Sequence, residues 1–241
     1  MDEALRIAVN CRHYAMCKID FLGTGVCPSG LAHHYVSFYP EGRMDLYAAL
    51  AKHRVPVTEE CVRIVESCDL CGRCDKQCCF ITGLRPTRVM EALRSLVAAH
   101  LAAGRPVERP AGDLLLARIR DIVGERWATN DPAIRATYAH DPSPLALFRM
   151  PRYVILPGTR EEVSSVVRLL RDAGVPWAAR GNATNLMGFG FSEGAVLDLN
   201  RMKEFHKNRR IDSDSAPWIY EFRFVNRNNE IRNIVNHVAM I

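Results

Sequence analysis

The sequence predicts an α+β chain in two parts, a mainly helical, cysteine-rich N-terminal segment and a strand–helix–strand unit after it. Three observations carry this. All nine cysteines lie in the first 79 of 241 residues. A long helical period follows them, with Val89, Leu93, Leu96, Val97 and Leu101 on one face. From Tyr153 onward, short β-rich runs alternate with a helical face, and a length of 241 suits two modest domains.

The cysteines come first in the chain. In "CDLCGRCDKQCC", residues 68–79, Cys68, Cys71, Cys74 and Cys78 keep the spacing C-x2-C-x2-C-x3-C, the run that holds a cubane 4Fe-4S cluster in bacterial-type ferredoxins. Zinc ribbons instead pair C-x2-C knuckles across a gap of roughly 12–20 residues. A reducing compartment and an odd cysteine count both disfavour disulfides. Upstream, "NCRHYAMCKIDFLGTGVCPSG" holds Cys11, Cys17 and Cys27, with Pro28 after the last and Tyr14 where a regular spacing would place a further cysteine. In two-cluster ferredoxins the last cysteine of each run serves the other cluster. On that pattern Cys27 joins Cys68, Cys71 and Cys74, and Cys78 joins Cys11 and Cys17. Cys61, Cys79 or a non-cysteine group is left for the remaining corner. The other reading is a single cluster on the downstream run, with the upstream thiols buried as small hydrophobes.

The helix from Pro86 stops at Gly104 and shields one side of the downstream run; its His100 reads as a boundary residue, not a ligand. "GRPVERPAGD" at 104–113 has the breakers of a domain boundary. A short helix, "LLLARIRDIVG", follows, and then an irregular stretch rich in Pro and Asp to residue 151. "YVIL", "PWAA" and "AVLDL" are expected strands. Thr159 and Glu162 form a capping box for a helix whose face is Val163, Val166, Val167 and Leu170. The loop "RGNATNLMGFGFSEG" is small and polar enough for backbone N–H groups to approach a phosphate. It contains neither G-x4-G-K-[ST] nor G-x-G-x-x-G.

Two resemblances add to this. From about Thr129 to Phe205, through "YAHDPSP" and "RYVILPGTREEVSSVVRLLRDAGVPWAARGNATNLMGFGFSEGAVLDLNRM", the chain resembles the start of the FAD domain of the vanillyl-alcohol-oxidase (PCMH-type) class. That class includes D-lactate dehydrogenases and the flavin subunit of glycolate oxidase. The resemblance implies that Arg180, Gly181, Asn182, Ala183, Thr184, Asn185, Leu186 and Gly188 lie along the flavin pyrophosphate. Ala183 stands at the place of the usual glycine, where its methyl crowds the phosphate. The cysteine region resembles the iron–sulfur segments of glycolate oxidase and heterodisulfide reductase type proteins. The implied organisation is a ferredoxin-like iron–sulfur domain at 1–103, a linker with short helices at 104–150, a partial PCMH-type FAD-binding subdomain at 151–205, and an atypical tail at 206–241.

In that tail the resemblance stops, as in a truncated or different end. Trp218 to Phe224 alternate as one strand, and Ile231, Ile234, Val235 and Val238 suit a short terminal helix. His33, His34, His140 and His206 have no motif behind them and read as structural or exposed.

The net charge of +5 is mild and dispersed, without the basic stripe and interleaved aromatics of a nucleic-acid binder. No apolar run reaches the ~20 residues of a membrane span, and the acidic start is unlike a signal peptide, so a cytoplasmic protein is expected. The function expected from residues and resemblance together is an oxidoreductase moving electrons between FAD and one or two 4Fe-4S clusters. Its intact form would oxidise a 2-hydroxy acid such as D-lactate or glycolate and pass electrons to a redox partner protein. The alternatives are a non-catalytic iron–sulfur electron-transfer subunit docking to a catalytic partner, and a zinc-stabilised interaction domain.

Overall fold

The computed structural model describes residues 2–20, 22–140, 148–183, 190 and 192–202, together with the backbone of 219–225 and 231–237. The chain divides into two units, residues 1–202 and 203–241.

The first 102 residues of unit one are helical: α1 (Glu3–Val9), α2 (Pro28–His33), α3 (Pro40–Ala51), α4 (Glu59–Glu66), α5 (Arg73–Thr82) and α6 (Pro86–Ala102). Local chemistry sets their ends. Asp2 and Thr58 cap α1 and α4 through side-chain oxygens. Proline opens α2, α3 and α6, where its missing N–H costs no hydrogen bond. Helix α3 lies in the middle of this half, with almost every residue from Pro40 to Leu50 buried, including Glu41, Arg43 and Asp45. Gly42 lets it approach the preceding turn, since a Cβ there would lie 2.2 Å from the Val36 carbonyl oxygen. On α6, Val89, Leu93 and Val97 are buried as the periodicity predicts, whereas Leu101 in the last turn is exposed.

The segment after the 104–113 stretch carries α7 (Leu114–Val123), capped by Asp113, whose carboxylate accepts from the Leu116 N–H at 2.8 Å. The following stretch is less irregular than its Pro/Asp content predicts. A 3-10 turn at Glu125–Trp127 leads to β1 (Ala128–Thr129) and to α8 (Pro132–Ala136), which the buried Asp131 caps.

Then come β2 (Tyr153–Ile155), α9 (Arg160–Asp172), β3 (Trp177–Arg180) and β4 (Ala195–Asp198). They form a four-stranded sheet of order β1-β2-β4-β3, with β2, β4 and β3 parallel and β1 antiparallel at one edge. Thr159 caps α9 by accepting from the Glu162 N–H. Glu162 reaches back to the Gly158 N–H instead of that of Thr159, closing the box one residue earlier than predicted.

The central strands are buried on both faces, and their side chains sort by parity. Val154, Leu156 and Val196 pack into the core of the cysteine-bearing helices, while Tyr153, Ile155, Ala195 and Leu197 pack against α7 and α9. The sheet is therefore a middle layer, and one of its faces is the floor of the helical half. This explains why β2 and β4 read as continuous apolar runs.

Unit two contains an antiparallel pair, β5 (Ile219–Val225) and β6 (Ile231–His237), with register from Ile219↔His237 to Val225↔Ile231. The strand expected near 218–224 is present. The terminal helix expected around 231–238 is instead β6. Its β-branched content restricts side-chain rotamers in a helix and favours a strand once a partner is available.

Candidate cysteine and flavin sites

Seven of the nine cysteines line two neighbouring cavities in the helical half. The first is bordered by Cys27, Cys68, Cys71 and Cys74, with Arg43 and Met90 beside them. The second is bordered by Cys11, Cys17 and Cys78, with His13, Tyr14 and Glu41. This is the crossed grouping expected from the spacing, in which Cys27 sits with the downstream run and Cys78 with the upstream pair. Cys61 is elsewhere: it is buried on α4, its thiol against the Pro56 carbonyl and the Thr58 hydroxyl. Cys79 lines neither cavity. Among the described residues no group of three or more His, Cys, Asp or Glu side chains is placed to hold a metal ion.

The backbone around these thiols is unusual. Among the described residues six non-glycine positions have positive φ, and three of them are His13 and Ala15, between Cys11 and Cys17, and Leu70, between Cys68 and Cys71. Gly72, with φ +74°, starts α5 inside the C-x2-C spacing, a conformation that favours glycine. Left-handed non-glycine residues cost free energy and gather at functional sites. The 20–25 loop that leads to Cys27 is pinned to α5, because Gln77 donates to Asp20 at 2.8 Å and to Thr24 at 3.1 Å.

Electrostatics separate the two cavities. At the first, the fully buried Arg43 donates through Nη1 to the Cys27 sulfur at 3.6 Å. Its Nη2 is held by the Ser29 and Ser67 hydroxyls at 2.8 Å each. Burial pushes the Cys74 thiol up to about 12, and Asp75 and the neighbouring cysteines add to this. At the second, the buried Glu41 pairs with Lys18 at 3.1 Å and lies 4.0 Å from the Cys17 sulfur. Burial, followed by the Glu41 charge, raises both Cys11 and Cys17 well above an ordinary thiol. Burial opposes protonation of His13, but Asp45 at 3.0 Å outweighs it and raises that imidazole.

The flavin loop begins where β3 ends. Of its predicted residues, Arg180, Gly181, Asn182 and Ala183 are described; Thr184, Asn185, Leu186 and Gly188 lie outside the described residues. Arg180 is 4% exposed, its guanidinium lies 4.8 Å over the Tyr138 ring, and its Nε and Nη1 have no hydrogen-bond partner among the described residues. Buried guanidinium nitrogens left unmatched by protein suit an anion. Asn200 holds the Gly181 carbonyl at 3.1 Å. Ala183 is buried with φ +53°, so the position has the backbone of a glycine and carries a methyl.

A polar chain ties this loop to the helical half. The Tyr138 hydroxyl donates to Asp198 at 2.8 Å and accepts from the Val36 N–H at 3.1 Å. His13 lines the second cavity. His13 in turn stacks on His140, with ring centroids 6.0 Å apart. His33 stacks on Phe38, His34 tilts against Trp127, and His100 bonds the Pro106 carbonyl. His206 lies outside the described residues. Sequence reasoning missed Glu41, Arg43 and Asp45. The only available signal was their place on a helix that starts with proline twelve residues after the Cys27–Pro28 pair.

Among the described residues no helix is long and apolar enough to cross a membrane. Two uncharacterized FAD-linked oxidoreductases of Mycobacterium tuberculosis, from strains CDC 1551 and H37Rv, are each 31% identical over 104 residues, 42% of this chain and 22% of theirs. The chain thus spans about a fifth of the length of the curated relatives it matches. Among solved structures, an alkyldihydroxyacetonephosphate synthase is 22% identical with a TM-score of 0.34, over 40% of this chain and 20% of that one. A p-cresol methylhydroxylase with substrate bound is 14% identical with a TM-score of 0.32, over 45% and 26%. Residues 151–215, the segment that holds Arg180 and Ala183, match the FAD binding domain family.

Proposed function

We propose that this chain is the iron–sulfur and flavin-binding part of an FAD-linked oxidoreductase, with FAD on the loop after β3 and iron–sulfur clusters in the two cysteine cavities. In the intact enzyme the substrate is a 2-hydroxy acid such as D-lactate or glycolate, and a redox partner protein receives the electrons. The observation that carries this reading is adjacency. The Arg180 guanidinium lies 4.8 Å over the Tyr138 ring, and the Tyr138 hydroxyl accepts from the Val36 N–H of the cysteine-bearing half at 3.1 Å, within one compact unit.

The donor set fits iron–sulfur clusters better than a single ion. Each thiolate of a cluster binds its own iron, so the thiols ring a cavity instead of meeting at a point. The flavin, when bound, supplies the hydride chemistry, and the protein supplies binding and orientation. Arg180 offers two N–H donors to the pyrophosphate, and Asn200 fixes the carbonyl of the next residue so that the loop holds its course. At the four-thiol cavity, the Arg43 N–H to the Cys27 sulfur places positive charge beside a ligand, which favours the reduced cluster.

Titration of the anaerobically purified protein with FAD tests the flavin half. Binding should quench flavin fluorescence, with FAD preferred over riboflavin because the donors recognise phosphate. Equal affinity for riboflavin, or no binding, would refute it. A second reading, an electron-transfer subunit that docks on a catalytic partner, is favoured by Phe80 and Ile81. Both are exposed on α5, the helix of Cys74 and Cys78. The FAD titration also separates the two readings: phosphate-selective FAD binding supports the flavin-binding part, and iron retained without FAD binding supports the subunit.

A further inference from the structure

We infer that the second cavity takes a three-iron, four-sulfide cluster held by Cys11, Cys17 and Cys78 alone, different in kind from the four-thiol site beside it. The inference rests on the iron–sulfur reading above and adds what the upstream site can hold.

The argument is a count of donors. Three thiols line the cavity, and a cubane needs four ligands, one on each iron. The middle position of the upstream run is Tyr14, which is 51% exposed on a loop that His13 and Ala15 wind through left-handed conformations. Among the described residues no other side chain takes the fourth place. His13 is committed to Asp45 at 3.0 Å. Glu41, 2% exposed, has one carboxylate oxygen on Lys18 at 3.1 Å, so its charge is already balanced inside the protein. Cys61 is turned to Pro56 and Thr58, and Cys79 does not reach the cavity lining. A fourth iron at this site would have no protein ligand, and it is the iron that oxidation releases from a cubane. The three-iron form keeps one thiolate per remaining iron.

The test uses the full chain, matured anaerobically with iron and sulfide and then oxidised with ferricyanide. Iron should settle at about seven per chain, four in the first cavity and three in the second. The oxidised protein should show the electron paramagnetic resonance signal of a three-iron cluster. Cys17→Ser should remove that signal and leave the reduced-state signal of the four-thiol site. Tyr14→Cys, at a residue that borders the cavity, should supply the missing thiolate, abolish the three-iron signal and raise iron to about eight. Wild-type protein with about eight irons and no three-iron signal would overturn the inference. If Tyr14→Phe or Glu41→Gln then exposed a three-iron signal, that residue would be the fourth ligand. About four irons would also overturn it, while leaving the four-thiol and flavin reading standing. A protein without iron would overturn both.

Discussion

The cysteine cavities and the loop after β3 bury groups of opposite chemical type, acidic thiols in one and a guanidinium in the other. In the helical half, thiols are enclosed where burial keeps them protonated, with Cys74 pushed up to about 12 and Cys11 and Cys17 driven up by burial and the Glu41 charge. Bound iron reverses that preference, because a cation at the sulfur stabilises the thiolate. At the end of β3 the buried group is a guanidinium: Arg180 has its Nε and Nη1 unmatched among the described residues. In the proposed function the first region takes cationic iron and the second an anionic phosphate. Both hold non-glycine backbone in the left-handed region, at His13, Ala15, Leu70 and Ala183.

The comparison can be broken most sharply on the cysteine side. Cys74→Ser should abolish iron at the first cavity, and metal analysis with visible absorption reads the loss; retained iron there would remove Cys74 from the ligand set. Next is Arg180→Met, which removes charged hydrogen bonds of about 1.5–3 kcal/mol and should weaken FAD roughly ten- to a hundredfold by fluorescence titration. An unchanged affinity would place the pyrophosphate elsewhere. Arg43→Gln keeps a donor but loses the charge beside Cys27, so redox titration should show a lower potential for the four-thiol cluster alone. A matching shift at both clusters would mean a general disturbance of α3.

Smaller effects follow at the backbone. Ala183→Gly relieves a left-handed alanine worth about 1 kcal/mol, partly offset by the freer unfolded chain. A net gain of roughly 0.5 kcal/mol in chemical denaturation should accompany tighter FAD binding if the methyl also crowds the phosphate. Asp113→Ala probes the frame that carries the flavin loop without touching either ligand site, and should cost about 1 kcal/mol through loss of the α7 cap. Burial pushes the Asp113 carboxyl up, but hydrogen bonds from Tyr153, the Leu116 N–H and Arg152 outweigh it and hold it below its ordinary value. Its contribution is therefore complete above the unfolded value near pH 4 and lost as pH falls through the lower folded one. The gap between wild type and Asp113→Ala should narrow below about pH 4. A gap that persists into stronger acid would assign the effect to packing.

Much of this was legible in the sequence where one residue type has one dominant use. The spacing of Cys68, Cys71, Cys74 and Cys78, and the proline after Cys27, anticipated which thiols share a cavity. Helices α6 and α9 and strands β2, β3 and β4 followed from the pattern of apolar runs, whereas β1 lay in a stretch that reads as irregular. Helix α3 was not legible, because Glu41, Arg43 and Asp45 resemble a solvated face, and only tertiary packing buries them. The sorting of Val154 and Tyr153 to opposite cores was hidden as well: a strand buried on both faces has no polar alternation to read. Strand β6 was misread because its spacing of Ile and Val also fits a helix, and pairing with β5 decided between them.

The central claim is that the cysteines hold iron–sulfur clusters beside a flavin loop, and anaerobic purification with iron, zinc and flavin quantitation addresses it most directly. The account predicts a brown protein with broad absorption near ~400 nm that bleaches with dithionite, as thiolate-to-iron charge transfer requires, and with FAD bound on addition. A colourless protein holding stoichiometric zinc and indifferent to FAD would contradict it.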